Sequence, residues 1–301
     1  MIARPHLPSL HLLLALAVMA VWGTNFVVIK LALAHLPPLT LATLRFSLAF
    51  LPMALFIKRP QVPLKNLAAY GVLIGAGQFG LLFTAMRTDI TPGLASLVVQ
   101  TQVFITIGLS MRLTGEKIAP YQIAAMALAV AGLGTIGWHT DGSATPLGLL
   151  LVLGAALSWS LGNMTARAAG PVPMLNYVVW SSVFAVPPLF AMALLTEGWP
   201  QMAAGVAAAD WTTWGAVVWQ AVGNTMFGYA AWGWLLGKHP AAQVAPLALL
   251  VPVFGLGSSA LLLGEPLQWW KILAFVLVMA GLSLGVLWPR FKARFGLGTP
   301  A

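Results

Sequence analysis

Ten apolar stretches of about 20 residues each divide this chain and leave little else between them. That is the length of helix that crosses ~30 Å of hydrocarbon. They fall near residues 11–34, 39–57, 67–86, 91–111, 119–138, 147–169, 174–196, 212–236, 241–263 and 268–289, numbered spans 1 to 10 in chain order. Only 7% of the residues are charged and 60% are hydrophobic, whereas a soluble domain carries about 25% charge. A lone charge at the bilayer centre costs roughly 3 kcal/mol or more, which explains such avoidance. A water-soluble globular protein is excluded. The expected fold class is an all-α membrane protein with ten transmembrane helices, and its first partner is the lipid bilayer. No soluble domain or long linker remains.

The formal charge of +9 does not indicate nucleic acid, because the fifteen basic residues form no stripe. Their distribution is informative in another way. Alternate connections hold Arg4; Lys58, Arg59 and Lys65; Arg112 and Lys117; Arg167; Lys238; and Arg290, Lys292 and Arg294. The intervening connections hold only Arg87 and Lys271, while Lys30 and Arg45 lie inside spans 1 and 2. The positive-inside rule then places both termini in the cytoplasm, in keeping with an even number of spans. Span 1 is too long for a cleaved leader and contains Trp22, Asn25 and Lys30. The absence of Cys removes disulfides, thiolate metal sites and cysteine catalysis.

An internal repeat organises the chain. Tyr121-Gln122-Ile123-Ala124-Ala125 through Ala131-Gly132-Leu133 aligns with Trp270-Lys271-Ile272-Leu273-Ala274 through Ala280-Gly281-Leu282 at an offset of 149. The same offset superposes Gly108 on Gly257, Leu113 on Leu262, and Gly115-Glu116 on Gly264-Glu265. Trp22 and Asn25 correspond to Trp159 and Asn163 with one residue inserted. The halves are 9–140 and 146–290. Each has five helices, an odd number, so they enter the membrane from opposite sides. Two inverted five-helix repeats are a secondary-transporter architecture with the site at the repeat interface.

Several local patterns make the chain similar to a known family. They are Val21-Trp22-Gly23-Thr24-Asn25-Phe26-Val27-Val28-Ile29-Lys30, Leu44-Arg45-Phe46 and Gly93-Leu94-Ala95-Ser96-Leu97-Val98-Val99-Gln100 in the first half. The second half offers Ser158-Trp159-Ser160-Leu161-Gly162-Asn163, Ala245-Pro246-Leu247-Ala248-Leu249-Leu250-Val251-Pro252-Val253 and Leu263-Gly264-Glu265. The chain resembles the drug/metabolite transporter superfamily and, within it, the EamA-type exporters. That resemblance implies a bacterial inner-membrane exporter of amino acids and related small metabolites, aromatic or cysteine-related ones among the candidates. It covers nearly the whole chain.

Polar residues in mid-span are costly and usually face a cavity or another helix. Trp22 and Asn25 share a face of span 1, and Trp159 and Asn163 a face of span 6. Gln78 lies near the middle of span 3, Gln100 and Gln102 flank the centre of span 4, and Asn224 is near the middle of span 8. Spans 5 and 10 have no such residue. Spans 1, 3, 4, 6 and 8 are thus expected to line a central cavity, with span 9 joining by symmetry and spans 5 and 10 peripheral. An individual amide serves equally well as interhelical glue, worth about 0.6 kcal/mol, and each Trp as packing. The shared depth and occurrence in both halves favour a pathway. An aromatic wall with a few amides suits a small zwitterion.

Lys30 and Arg45 either snorkel outward or form a cationic rim that holds carboxylates or helix carbonyls; Arg45 sits deeper. At each Gly-Glu pair, Gly ends one helix and Glu complements the N-terminus of the next. Pro52, Pro187, Pro188, Pro246 and Pro252 mark bends, as gating hinges or static kinks. Asp89, Glu116, Asp141, Glu197, Asp210 and Glu265, and all five His residues, fall in connections or at helix ends. No mid-span acid or histidine is left to relay a proton, so a facilitator is the expected mechanism. No metal or cofactor is expected. An enzyme lacks its reactive constellation, a channel its charged ring, and a carrier of nucleotide sugars the buried cations that phosphates need.

Overall fold

The computed structural model describes residues 7–114, 119–139 and 141–294. The Gly115-Glu116 pair lies outside them. Nine helices are long and apolar enough to cross a membrane among the described residues: Ser9–Ala32, Pro38–Leu55, Leu64–Thr88, Pro92–Leu109, Pro120–Trp138, Pro146–Ala168, Met174–Thr196, Ala245–Leu263 and Trp269–Trp288. Span 8 is equally continuous over 211–238, as Trp211–Trp219, Gln220–Phe227 and Gly228–Lys238. It is less hydropathic because it carries five Trp residues together with Gln220, Asn224 and Tyr229. Indole, amide and phenol groups lower a hydropathy average without shortening the helix. The chain is thus an all-α membrane protein of ten spans in two inverted five-helix repeats. The connection 197–211, read from sequence without structure, contains a further helix, Gly198–Ala208. It starts at Gly198, whose φ of 76° favours glycine.

The halves interleave rather than sit side by side. Span 1 packs on span 9, span 2 on span 7, span 3 on span 6, span 5 on span 10, and span 8 on spans 1 and 2. Span 4 meets span 9 with its first half and span 6 with its second. Exchanging the halves carries the pair 1–9 onto 6–4 and the pair 3–6 onto 8–1. The pairs 2–7, 5–10 and 4–9 map onto themselves. The motif that reveals the repeat forms one of these self-paired seams. A Cβ at Gly132 would lie 2.7 Å from Val278 Cγ2, and one at Gly281 would lie 2.6 Å from the Ala125 carbonyl. Spans 5 and 10 approach this closely because both positions are glycine.

Two departures from α-geometry recur in both halves. Span 3 contains a π-helical segment, Leu73–Gly80, and span 8 another, Gln220–Phe227. Span 4 tightens to a 3₁₀ turn at Val99–Thr101, and span 9 at Ala245–Leu250. Pro246 lies within the latter turn, but no proline accompanies the former. Of the other expected bends, Pro52 stands where span 2 gives way to a 3₁₀ turn, Met53–Leu55. Pro187 and Pro188 are accommodated inside a continuous helix, Met174–Thr196.

Alternation of the spans gives the bundle two chemically different ends. Lys58, Arg59, Lys65, Arg112, Arg167 and Lys238 gather at one end, the basic end. Asp89, Asp141, Glu197, Asp210 and Glu265 all lie at the other, the acidic end.

Candidate functional site

A cavity of about 810 Å³ opens between the halves, within the range of roughly 300–1,000 Å³ that small-molecule sites occupy. Eight of the nine residues singled out from sequence line it: Trp22, Asn25, Gln78, Gln100, Gln102, Trp159, Asn163 and Asn224. Span 9 contributes Ala245, Ala248, Leu249 and Val251, as symmetry suggests. Span 10 is not wholly peripheral, since Leu282 and Val286 also reach the cavity. Apolar side chains sufficed for that, so a search for polar mid-span residues passed over them.

The lining is fixed by local backbone geometry. The Trp22 indole donates to the Asn224 carbonyl at 3.1 Å, inside the π-segment of span 8. Thr225 Oγ1 donates to the Gln220 carbonyl five residues back, at 2.9 Å. Trp22 is tilted against Tyr229 and Trp232, with ring centroids 5.6 Å away in each case. Across the cavity, Asn163 Nδ2 donates to Gln102 Oε1 at 3.1 Å, and Ser160 Oγ to the Gln102 carbonyl at 3.0 Å. Part of the amide set is therefore interhelical glue. Asn25 is different: it is buried, and its Oδ1 accepts no hydrogen bond among the described residues.

Arg45 does not line the cavity. Its guanidinium lies 3.7 Å from the centroid of Phe79, which does line it, and 5.0 Å from that of Phe46. Instead of snorkelling or forming a rim, Arg45 is 1% exposed. The cause is its position on the face of span 2 that packs against spans 3 and 8. Lys30 fits the helix-carbonyl reading: Nζ donates to the carbonyls of Met86 and Arg87 at 3.0 and 2.9 Å, at the end of span 3. The sequence reading missed Phe79, Tyr70, Tyr229 and Trp232 in the wall. The density of aromatics in span 8 was the available signal.

The cavity is open at one end only. Val172 through Leu175, in and after the loop before span 7, line it at the basic end with Trp234 and Leu236. Toward the acidic end the lining stops at Ile29 and Leu82, inside spans 1 and 3. Beside the cavity, spans 1, 4 and 9 meet through small residues, Gly23, Ser96 and Gly255, whose close approach leaves no space for a Cβ on either glycine. The acidic end is tied by Glu265. Its carboxylate accepts from Thr91 Oγ1 at 2.5 Å, from the Gly93 backbone N–H at 3.0 Å and from the Ser259 hydroxyl. Lys271, fully buried, donates to it at 3.2 Å. Gly264 does end span 9, with φ 66°. Glu265, however, complements the N-terminus of span 4, not that of the following helix. Span 4 presents its first backbone N–H groups to the carboxylate, whereas span 10 offers it the Lys271 side chain. Glu197 likewise accepts from the backbone of Leu39 and Thr40 at 2.6 and 3.0 Å, capping span 2.

Outside the spans, two carboxyl groups are held below their usual range. For Asp210 the main cause is the Thr213 backbone N–H, followed by the Thr213 hydroxyl and the nearby His35. For Asp141, burial pushes the carboxyl up, but the Ser143 hydrogen bonds and the Lys271 charge outweigh it.

An interleaved inverted repeat around a largely apolar and aromatic cavity set with amides is the architecture of a secondary membrane transporter. The EamA-like transporter family model matches residues 9–138 and 146–287, and the chain belongs to that family. A protein of Salmonella typhimurium described as a "Probable amino-acid metabolite efflux pump" is 43% identical over 91% of this chain and 93% of its own. One of Escherichia coli K12 with the same description is 40% identical over 95% and 98%. A solved crystal structure superposes with a TM-score of 0.61 at 18% identity, over 93% of this chain and 98% of its own. That likeness concerns the fold alone.

Proposed function

We propose that this protein exports amino acids and related small metabolites across the bacterial inner membrane, by rocking its halves, 9–140 and 146–290, about the central cavity. The observation that carries this reading is the cavity itself. Indole and amide groups from both halves converge on it, as a small zwitterion with an apolar side chain requires. The description of the two relatives as efflux pumps supports the substrate class. By the positive-inside rule the basic end, with both termini, is cytoplasmic, so the described state faces the cytoplasm. Loading from inside is what an exporter needs.

The described acids all lie at the acidic end, outside the cavity. Without a carboxylate or histidine in the described pathway, the carrier equilibrates its substrate and needs no proton gradient. The test is uptake into proteoliposomes across a panel of neutral amino acids, with and without a pH gradient and with the potential clamped. Exchange at equal pH, without accumulation when the gradient is imposed, is the expected result. Accumulation that an uncoupler collapses overturns the facilitator reading. Asn25→Ala should lower transport by about tenfold, the equivalent of ~1.4 kcal/mol, with folded protein retained. Unchanged transport would leave Asn25 outside the pathway.

A further inference from the structure

Arg45 is the one fully buried guanidinium among the described residues, and most of its donors have no partner. Nε and Nη1 make no hydrogen bond, and Nη2 reaches only Thr225 Oγ1 at a long 3.4 Å. Arg45 stands seven residues into span 2 from Pro38, ~10 Å below the helix start at 1.5 Å per residue. No described carboxylate lies within ion-pair distance of it. A cation in that position needs an anion, because neither stacking on Phe79 nor a weak hydroxyl contact replaces its lost hydration.

Two buried side chains at similar depth share the deficit. Asn25 Oδ1 on span 1 is unpartnered, as are both side-chain polar atoms of Gln220 on span 8. Gln220 is completely buried. Spans 1 and 2 both pack on span 8. Unmet hydrogen-bonding capacity is thus concentrated at one depth of the bundle, on Asn25 in the cavity wall and on Arg45 and Gln220 outside it. Phe79 is the partition: it lines the cavity and lies against the guanidinium.

We infer that Arg45 is the anion-recognition group of this transporter, which binds the substrate carboxylate once the Phe79 ring swings aside. This rests on the amino-acid reading above and deepens it. The planar guanidinium matches a carboxylate in shape and charge. The weakly hydrated, ring-stacked resting state keeps the cation available, where a resident acid would neutralise it. The substrate amino group is left to the amide and aromatic wall.

The test uses the purified full chain in detergent and two isosteric probes, benzoate and benzamide. Tryptophan fluorescence follows thermal unfolding at increasing probe concentration, in methanesulfonate buffer free of chloride. Benzoate is expected to raise the midpoint saturably, with benzamide at least tenfold weaker. Arg45→Gln should abolish that preference. Should Arg45→Gln fail to fold, Arg45→Lys decides, since it keeps the charge without the planar fork. A fall in benzoate affinity of threefold or more, with benzamide unchanged, supports the inference, and unchanged benzoate affinity overturns it. Equal responses of the native protein to both probes overturn it as well. So does a chloride titration that reproduces the whole benzoate effect, which would assign Arg45 to an inorganic ion. A transport panel without amino-acid activity, alongside an Arg45-dependent benzoate response, would sink the substrate class and leave the anion site standing.

Discussion

At the acidic end of the bundle, side chains of one span hold the backbone of another. Glu265 reaches the start of span 4, Glu197 the start of span 2, and Lys30 the end of span 3. Asp89 adds a tie to the start of span 6, where Thr145 Oγ1 donates to it at 2.9 Å. At the basic end the ties stay away from the cavity axis. Asn66 donates to the Thr165 carbonyl, Trp180 to that of Ile57, and His11 pairs with His239 at 2.7 Å. Charged side chains bonded to the terminus of another span distinguish the acidic end. A carboxylate on exposed N–H groups is worth more than a neutral contact, and it can be released as a unit when a gate opens.

The largest test of that contrast is Glu265→Ala. It leaves Lys271 buried without its ion-pair partner, which should cost about 3–5 kcal/mol and lower the melting temperature in detergent by several degrees. A melt unchanged from the native protein would mean that the acidic end is not held by this carboxylate. Glu197→Gln keeps the shape but removes the charge at the start of span 2. A loss of ~1 kcal/mol is expected, and a loss as large as that of Glu265→Ala would erase the distinction between a buried pair and a cap.

The smallest effect concerns pH. The Asp210 carboxyl is held low by Thr213 in the folded chain. Its contribution is therefore complete above the ordinary carboxylate pKa of about 3.9, and is lost as pH falls through the lower folded value. The difference in melting temperature between the native protein and Asp210→Asn should be present at pH 6 and shrink as pH drops below 4. A constant difference down to pH 3 would show that the cap acts through shape alone.

The two halves teach a related lesson about what can be read from residues. Eight polar or aromatic residues chosen by depth and periodicity do line one cavity, because membrane cost forces such groups inward wherever they occur. Arg45 obeys the same pressure, yet sits behind Phe79. Depth is encoded locally, whereas the face a side chain shows to its neighbours depends on which helices pack there. The Glu265 contact was misassigned for the same reason. Its partner, Gly93, is 172 residues away, and adjacency in sequence suggested span 10.

Apolar length, alternating charge and the recurrent Ala-Gly-Leu motif determined the number of spans, the inverted repeat and the interior polar set. These are properties of a residue and its near neighbours, which bilayer energetics read directly. Only the tertiary structure decided the matching π-segments of spans 3 and 8, the 3₁₀ turn at Val99–Thr101 without a proline, and the closed acidic end. Taken alone, an apolar helix favours α over the poorer hydrogen bonds of 3₁₀ and the rare π form. The choice is made by the packing of spans from the opposite half.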